Sequence, residues 1–258
     1  MEILAIPETG GHRGSAAVTD DQFFFVHVMK TAGGTFRQHI YDNFPPGAVY
    51  PDRRIVGSTA QMNREYTDIQ SMLDLTGEQR ERTRVFGGHF PFCTVDMLGL
   101  RLLTLTILRD PVDRTISYLR RRQSRREPDR RPEEIYEDPM LFPMFIHNHQ
   151  VKLFALTAAD RPESYLDLLE IDDARLEVAK ENLERVDLLG LTREFERFLQ
   201  AVRDRYGWRI GGVQSRHVAD GGGWEPSAAF RRRVASDNAA DVEFYRLAEQ
   251  LYRRRERG

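Results

Sequence analysis

The sequence predicts an α/β fold with a mostly parallel central sheet that helices cover on both faces. Two short apolar runs support this prediction, Phe23–Val28 and Leu100–Leu108, because each is bounded by polar residues or glycine. Such runs are typical of strands buried on both faces of a parallel sheet. Each run is followed by a turn and then by apolar residues at helical spacing. With 258 residues, the chain is expected to fold as a single domain over 1–258, with a loose lead-in at 1–20.

The remaining elements continue this alternation of strands and helices. The first helix is expected from Thr35 to Phe44, where Pro45 and Gly47 stop it. Arg109, Asp110 and Pro111 end the second apolar run, and Pro111 suits the first turn of another helix. Further strands are predicted at 85–89 and 186–191, further helices at 67–84, 141–156, 163–168, 172–184, 195–202 and 227–254, and a glycine-rich loop at 211–223.

The composition is that of an ordinary globular protein, with 40% hydrophobic and 30% charged residues. A formal net charge of −2 provides no global attraction to nucleic acid or an anionic membrane, so any anion site must be local. Cys93 is the single cysteine, which allows no intrachain disulfide and fits a reducing compartment. No signal peptide is recognisable, and no run reaches the roughly 18 apolar residues of a membrane span. We therefore expect a cytoplasmic protein with no membrane span and no nucleic-acid partner.

The first candidate site is the turn Lys30–Thr35, between a predicted strand and a predicted helix. Backbone N–H groups in such a turn point into a small concavity, and the helix N-terminus adds positive potential, so the turn can bind an anion. Gly33 and Gly34 allow the backbone to approach the anion closely. Lys30 can place a charge on it, and Thr31 and Thr35 add hydroxyl donors. This is not a Walker A loop, whose lysine follows the glycines. The alternative is a plain strand–helix turn with a surface lysine.

The second candidate site begins where the second apolar run ends, at Arg109. In open α/β sheets the carboxyl ends of the strands form the functional edge. The planar guanidinium of Arg109 suits a phosphate, and Ser117 in the following helix offers a hydroxyl donor. The alternative is a structural ion pair of Arg109 with Asp110 or Asp113.

The third candidate is His89, which follows Gly87 and Gly88 at the end of a predicted strand and stands beside aromatic residues. The ordinary pKa of a histidine lies near neutrality and burial can tune it, so His89 is well placed to act as a general base. The alternative is a packed histidine that bonds a backbone carbonyl. No metal-ligand spacing is recognisable among the histidines.

Taken together, these motifs resemble a known family. Phe25–Thr35 resembles the F-V-H-I-P-K-T-G-G-T opening of the carbohydrate-type sulfotransferases, and Leu108–Tyr118 resembles their L-R-D-P-V-x-R-x-x-S-x-Y segment. These enzymes use 3′-phosphoadenosine-5′-phosphosulfate (PAPS) as the sulfuryl donor. Weaker similarities follow in the family's order, at Gly88–Phe92, Asn148–Leu156, Val186–Phe195 and Asp241–Tyr245.

The resemblance implies a P-loop-like three-layer fold and a sulfotransferase that moves a sulfuryl group from PAPS to a hydroxyl acceptor, a glycan or another small molecule, and releases PAP. It implies that the first motif binds the 5′-phosphosulfate and the second binds the 3′-phosphate without any metal. The cofactor-binding residues implied are Lys30, Thr31, Ala32, Gly33, Gly34, Thr35, Phe36, Arg109 and Ser117. Arg216 is a further candidate, in a loop that either closes over the nucleotide or is flexible and exposed. Lys30 would neutralise the leaving phosphate and His89 would be the base. His27 is a reserve base with a structural alternative.

The sequence departs from the family at three positions. Met29 replaces a proline, Ala32 replaces a glycine, and Lys152 stands where an arginine is frequent. Ala32 lacks the freedom of glycine at positive φ, so the turn is expected to be slightly reshaped.

Two other functions are considered, a P-loop-like nucleotide-dependent kinase or hydrolase and a non-catalytic nucleotide-binding module. The arginine-rich run Arg120–Arg131 could attract an acidic acceptor molecule, but a solvated helical surface is the favoured interpretation.

Overall fold

The computed structural model describes residues 21–160, 169–211 and 223–257. Its sheet contains Gln22–Val26 (β1), Val49–Tyr50 (β2), Val85–Gly88 (β3), Leu102–Leu108 (β4) and Leu188–Leu191 (β5). The five strands are all parallel and lie in the order β2-β3-β1-β4-β5. The predicted α/β class is therefore confirmed. Only β2 was not predicted, because two residues are too short for a periodic pattern.

The α-helices are Gly33–Asn43 (α1), Thr59–Glu65 (α2), Ile69–Leu73 (α3), Gly77–Arg82 (α4), Thr94–Leu98 (α5), Pro111–Arg125 (α6), Pro132–Tyr136 (α7), His149–Ala155 (α8), Asp173–Glu184 (α9), Phe195–Tyr206 (α10), Ala228–Asp237 (α11) and Ala239–Arg255 (α12). A π-helical turn covers Phe142–Ile146, and short 3₁₀ turns cover Ala158–Asp160 and Thr192–Glu194. None of these helices is long and apolar enough to cross a membrane.

Helices cover both faces of β1, which is why its side chains are apolar without alternation. Phe23 and Phe25 face one side and pack with residues of α1 and α10. Phe24 and Val26 face the other side and pack with residues of α8, α9 and α12. On the first side Phe36 of α1 is fully buried, with its ring 4.9 Å from that of Phe25 in an edge-on contact. The strand and the helix on either side of the first candidate turn are thus fixed by the core.

Three segments that were each predicted as one continuous helix are interrupted in the structure. The segment predicted at 67–84 divides into α3 and α4, because Thr76 forms a capping box with Gln79 and starts a new helix. The segment at 141–156 is interrupted at Asn148, whose left-handed φ of 48° precedes α8. The segment at 227–254 divides at Asn238 into α11 and α12. The segments predicted at 1–20 and 163–168, and most of the loop at 211–223, lie outside the described residues.

The topology places the three candidate motifs at one edge of the sheet. Because β1 lies between β3 and β4, the loops after these strands are neighbours. The chain goes from β1 through α1 toward β2 and β3, and from β4 through α6 toward β5 on the opposite side. Such a reversal opens a crevice outside the carboxyl ends of the strands, where open α/β sheets bind ligands.

Candidate active site

Direct hydrogen bonds join the three loops that carry the candidate residues. The backbone N–H of His27 donates to the carbonyl of Gly88 at 3.1 Å. The Nδ1 of His89 lies 2.7 Å from the carbonyl oxygen of His27. On the other side of β1, Nη1 of Arg109 donates to the carbonyl of Lys30 at 3.2 Å. The segments that carry Lys30, His89 and Arg109 therefore lie side by side at this edge of the sheet.

The turn before α1 is built from left-handed backbone. Lys30 and Ala32 have φ values of 69° and 71° although neither is glycine. The carbonyl of Ala32 accepts from the N–H of Thr35 at 3.0 Å and from that of Phe36 at 3.1 Å. The N–H groups of Gly33 and Gly34 precede these bonds, at the position where helix N–H groups have no intrahelical partner. These two amides and Lys30 are the groups of the turn that we expect to bind an anion.

Two residues that the sequence places among the cofactor ligands have other partners here. Thr31 is fully buried and donates its hydroxyl proton to the carbonyl of Val28 at 2.9 Å. Phe36 is a core residue, and its N–H already bonds Ala32. The fully buried Phe36 ring packs on Phe25 and does not face the crevice, so the place of Phe36 among the cofactor-binding residues stays a prediction that can concern only its backbone.

Replacing Ala32 with glycine is expected to stabilise the protein by about 0.5–1 kcal/mol. A left-handed conformation costs a residue with a Cβ roughly 1–2 kcal/mol, and glycine avoids this cost. The greater conformational freedom of glycine in the unfolded chain offsets part of the resulting gain in stability. Urea unfolding measures the difference. Ala201→Gly in the middle of α10 is the control, since there glycine should destabilise by about 1 kcal/mol. A destabilised Ala32→Gly variant would contradict this account of the turn.

His89 has the protonation state that a general base requires. A carbonyl oxygen only accepts hydrogen bonds, so its contact with His27 places the imidazole proton on Nδ1 and the lone pair on Nε2. Burial lowers the pKa of His89 to about 4, with the bond to the His27 carbonyl opposing this shift and the Arg37 charge adding to it. At neutral pH His89 is therefore uncharged.

Two residues of this cluster, Tyr66 and Arg37, were missed by sequence reasoning. The Tyr66 hydroxyl lies 2.6 Å from Nδ1 of His27, and the Tyr66 carbonyl accepts from the N–H of His89 at 2.9 Å. The Arg37 guanidinium lies 4.6 Å from the centre of the Tyr66 ring. Arg37 stands one helical turn after Gly33, a spacing that could have pointed to it. Nothing in the sequence marks Tyr66, because its contacts join segments distant along the chain.

The surroundings of Arg109 exclude the structural ion pair considered for it. Asp110 accepts from the N–H of Asp113 at 3.0 Å and caps α6, and Asp113 pairs with Arg231 at 2.8 Å. Within the described part of the chain, neither acid forms an ion pair with Arg109. Burial lowers the pKa of Arg109, opposed by the charges of Asp113 and Asp110. Ser117 is half-buried on α6, and no hydrogen bond joins it to Arg109 there.

The main chain at Arg109 is held by a buried polar network. The Gln150 amide accepts from the Arg109 N–H at 3.1 Å and donates to the Arg109 carbonyl at 2.8 Å. The Asp241 carboxylate accepts from the N–H of Val151 at 2.8 Å, and Asn148 accepts from the N–H of Asp241 at 3.1 Å. Two of the weaker similarities, Asn148–Leu156 and Asp241–Tyr245, thus contain residues that support the main chain of the second motif.

Other charged side chains singled out in the sequence have structural partners. Lys152 is buried and donates to the carbonyl of Pro143 at 2.7 Å. The arginine-rich run is largely paired with acids, as in Arg120–Glu225, Arg122–Glu127, Arg130–Asp138 and Arg131–Glu134. Arg216 lies outside the described residues. Across 21–160, 169–211 and 223–257, no group of three His, Cys, Asp or Glu side chains is arranged to hold a metal ion.

Comparison with known proteins finds likenesses among solved structures. No family model matches the chain, and no curated protein matches it. Among solved structures, the chain is similar to a sulfotransferase from Alicyclobacillus acidocaldarius, with 17% sequence identity over 90% of this chain and 96% of that chain and a TM-score of 0.44. What the site can do therefore has to follow from its own residues.

Proposed function

We propose that the protein is a PAPS-dependent sulfotransferase, of the EC 2.8.2 type, that transfers a sulfuryl group to a hydroxyl of a glycan or another small molecule. The observation that carries this proposal is the direct contact between the loops of Lys30 and Arg109, at 3.2 Å. Two cationic side chains from neighbouring strand ends suit a nucleotide that bears anionic groups at both its 5′ and 3′ positions.

The donor would lie across the crevice between β1 and β4. Its phosphosulfate would bind the amides of Gly33 and Gly34 at the N-terminus of α1, where the helix dipole favours an anion. The guanidinium of Arg109 would bind the 3′-phosphate, with Ser117 as a further donor. Ala32 contributes its backbone to the turn, and Thr35 contributes its hydroxyl group.

The transfer needs one proton acceptor and one cation. The acceptor oxygen forms a bond to sulfur while the bond between sulfur and the bridging phosphate oxygen breaks, roughly in line, and PAP leaves. His89 takes the acceptor proton on Nε2, the nitrogen that carries the lone pair. Lys30 stabilises the negative charge that develops on the leaving phosphate.

The competing functions differ from this proposal in the nucleotide they require. A kinase or nucleotide hydrolase of the P-loop type would hold ATP and Mg²⁺ with a lysine after its glycines, whereas Lys30 precedes Gly33 and Gly34. A non-catalytic binding module would bind PAP and PAPS alike but would release no sulfated product from any acceptor.

PAP without Mg²⁺ is expected to stabilise the protein against heat. At a concentration 100 times its Kd, a ligand that binds only the native state adds about 2.7 kcal/mol, which raises the Tm of a protein this size by about 5–10 °C. Adenosine 5′-phosphate, which lacks the 3′-phosphate, should stabilise much less. Arg109→Ala should reduce the PAP shift, and Arg233→Ala, which removes an exposed pair with Glu137, should not. Stabilisation by ATP with Mg²⁺ and none by PAP would overturn the proposal.

A further inference from the structure

The second histidine of the site, His27, is buried and has a defined orientation. It is 7% exposed, and its Nδ1 lies 2.6 Å from the Tyr66 hydroxyl. The opposite edge of the ring lies against the first residue of α1. A Cβ built on Gly33 would stand 2.1 Å from Cδ2 and 2.2 Å from Nε2 of His27. Nε2, the nitrogen that Tyr66 does not contact, therefore lies beside Gly33 at the N-terminus of α1.

The contact with Tyr66 determines which nitrogen of His27 carries the proton. Burial keeps the tyrosine hydroxyl protonated, since it raises the pKa of Tyr66 to about 12. Burial also lowers the pKa of His27, and repulsion from Arg37 and from a protonated His89 would lower it further. Between a neutral phenol and a neutral imidazole, the phenol is the better donor and the imidazole nitrogen the better acceptor. Tyr66 thus donates to Nδ1, and the proton of His27 is on Nε2.

We propose that His27 is a second catalytic residue whose neutral Nε2–H donates a hydrogen bond to the phosphosulfate at the start of α1, with Tyr66 as its positioning residue. This inference rests on the proposed sulfotransferase function. It gives the two histidines opposite roles, because Nε2 of His89 accepts a proton whereas Nε2 of His27 donates a hydrogen bond. Their ring centres are 4.7 Å apart, so protonating both would place like charges side by side.

The location of His27 favours a role as a hydrogen-bond donor over a role in packing alone. Because Gly33 has no side chain, no Gly33 side-chain atom covers the edge of the His27 ring that carries Nε2. The amides of Gly33 and Gly34 are on the same turn, so an anion that binds them also comes near this edge. A neutral, fixed donor in a buried site stabilises developing charge without having to reorient.

Substitution by the two amide residues separates the two nitrogens of His27. The side-chain nitrogen of glutamine can occupy the Nε2 position, whereas that of asparagine reaches only the Nδ1 position. We expect His27→Asn to weaken PAP binding by about tenfold or more, the effect of losing one hydrogen bond to a charged group. His27→Gln should retain most of the affinity. His39→Asn, at another buried histidine on α1, is the matched control and should bind PAP like the wild type.

Tyr66→Phe gives an independent test, because Tyr66 acts as a positioning residue only through His27. The substitution should weaken PAP binding in the wild-type background but not in the His27→Gln background, where no tautomer has to be set. A merely structural hydroxyl would produce the same loss in both. Nitrogen NMR of the wild type should show His27 protonated at Nε2, with that signal moving when PAP is added.

The outcomes separate this inference from the function on which it rests. If the wild type does not bind PAP in calorimetry, the sulfotransferase proposal itself fails. If the wild type binds PAP and His27→Asn binds it as tightly, or if NMR shows His27 protonated at Nδ1, the role of His27 is overturned and the sulfotransferase proposal stands. Should the asparagine variant not fold, the NMR measurement and the Tyr66→Phe pair decide.

Discussion

Replacing His89 with alanine is expected to lower sulfuryl transfer by about 10²-fold or more, the usual contribution of a general base, while PAP binding stays intact. His89 contacts the acceptor proton in the proposed reaction but none of the phosphate groups. Lys30→Ala should lower transfer by a similar factor, about 10², and should also weaken PAP binding. Transfer of label from radiolabelled PAPS into products of a host extract measures the first effect, and calorimetry with PAP measures the second.

The pH dependence identifies the group responsible. Because the pKa of His89 is lowered to about 4, the base is already neutral above that pH. The acid limb of kcat/KM should therefore lie near pH 4, well below the 6.5 of an ordinary histidine, with little change at neutral pH. His39→Ala is the control for loss of a buried histidine elsewhere. An acid limb near 6.5 would contradict the lowered pKa of His89, and transfer close to wild type in His89→Ala would mean that another group is the base.

Replacing Gly33 with alanine is expected to destabilise the fold by about 1–3 kcal/mol, the range for forcing atoms into a packed site, and to weaken PAP binding by more than tenfold. The new methyl carbon would lie 2.1 Å from Cδ2 of His27, a distance that no non-bonded pair of carbon atoms adopts. Tyr66 holds the ring on its other side, so α1 has to shift and its first amides move with it. Urea unfolding and calorimetry with PAP measure the two effects.

Gly77→Ala provides a control with the opposite sign. Gly77 is at the first position of α4, and a Cβ there would meet nothing within 4 Å. Alanine should therefore stabilise the protein slightly, by up to about 1 kcal/mol. If Gly33→Ala were as stable as the wild type and bound PAP equally well, the close approach of His27 to α1 would be wrong.

The sheet was predictable because its central strands are buried on both faces and leave unbroken apolar runs, as in β1 and β4. The candidate turns were predictable because Arg109 and His89 stand directly after strands and Lys30–Thr35 joins the first strand to the first helix. The topology then brings them to one edge.

The supporting residues could not be predicted, because local patterns do not encode contacts between distant segments. Tyr66 bonds His27 across 39 residues, and Asp241 bonds Gln150 across 91 residues. The breaks at Asn148 and Asn238 arise from the same network, in which the Asn238 side chain accepts from the N–H of Asn148 at 2.8 Å. Tertiary hydrogen bonds there override continuous helical patterns.

The two hydrogen bonds between the Gln150 amide and the main chain of Arg109 have a consequence for synthesis of the protein. Their support comes from Asp241, 91 residues downstream of Gln150. All five strands and the turn before α1 precede Asp241 in the chain. In the proposed function, the support for Arg109, the expected ligand of the 3′-phosphate, is therefore complete only after Asp241 has been synthesised.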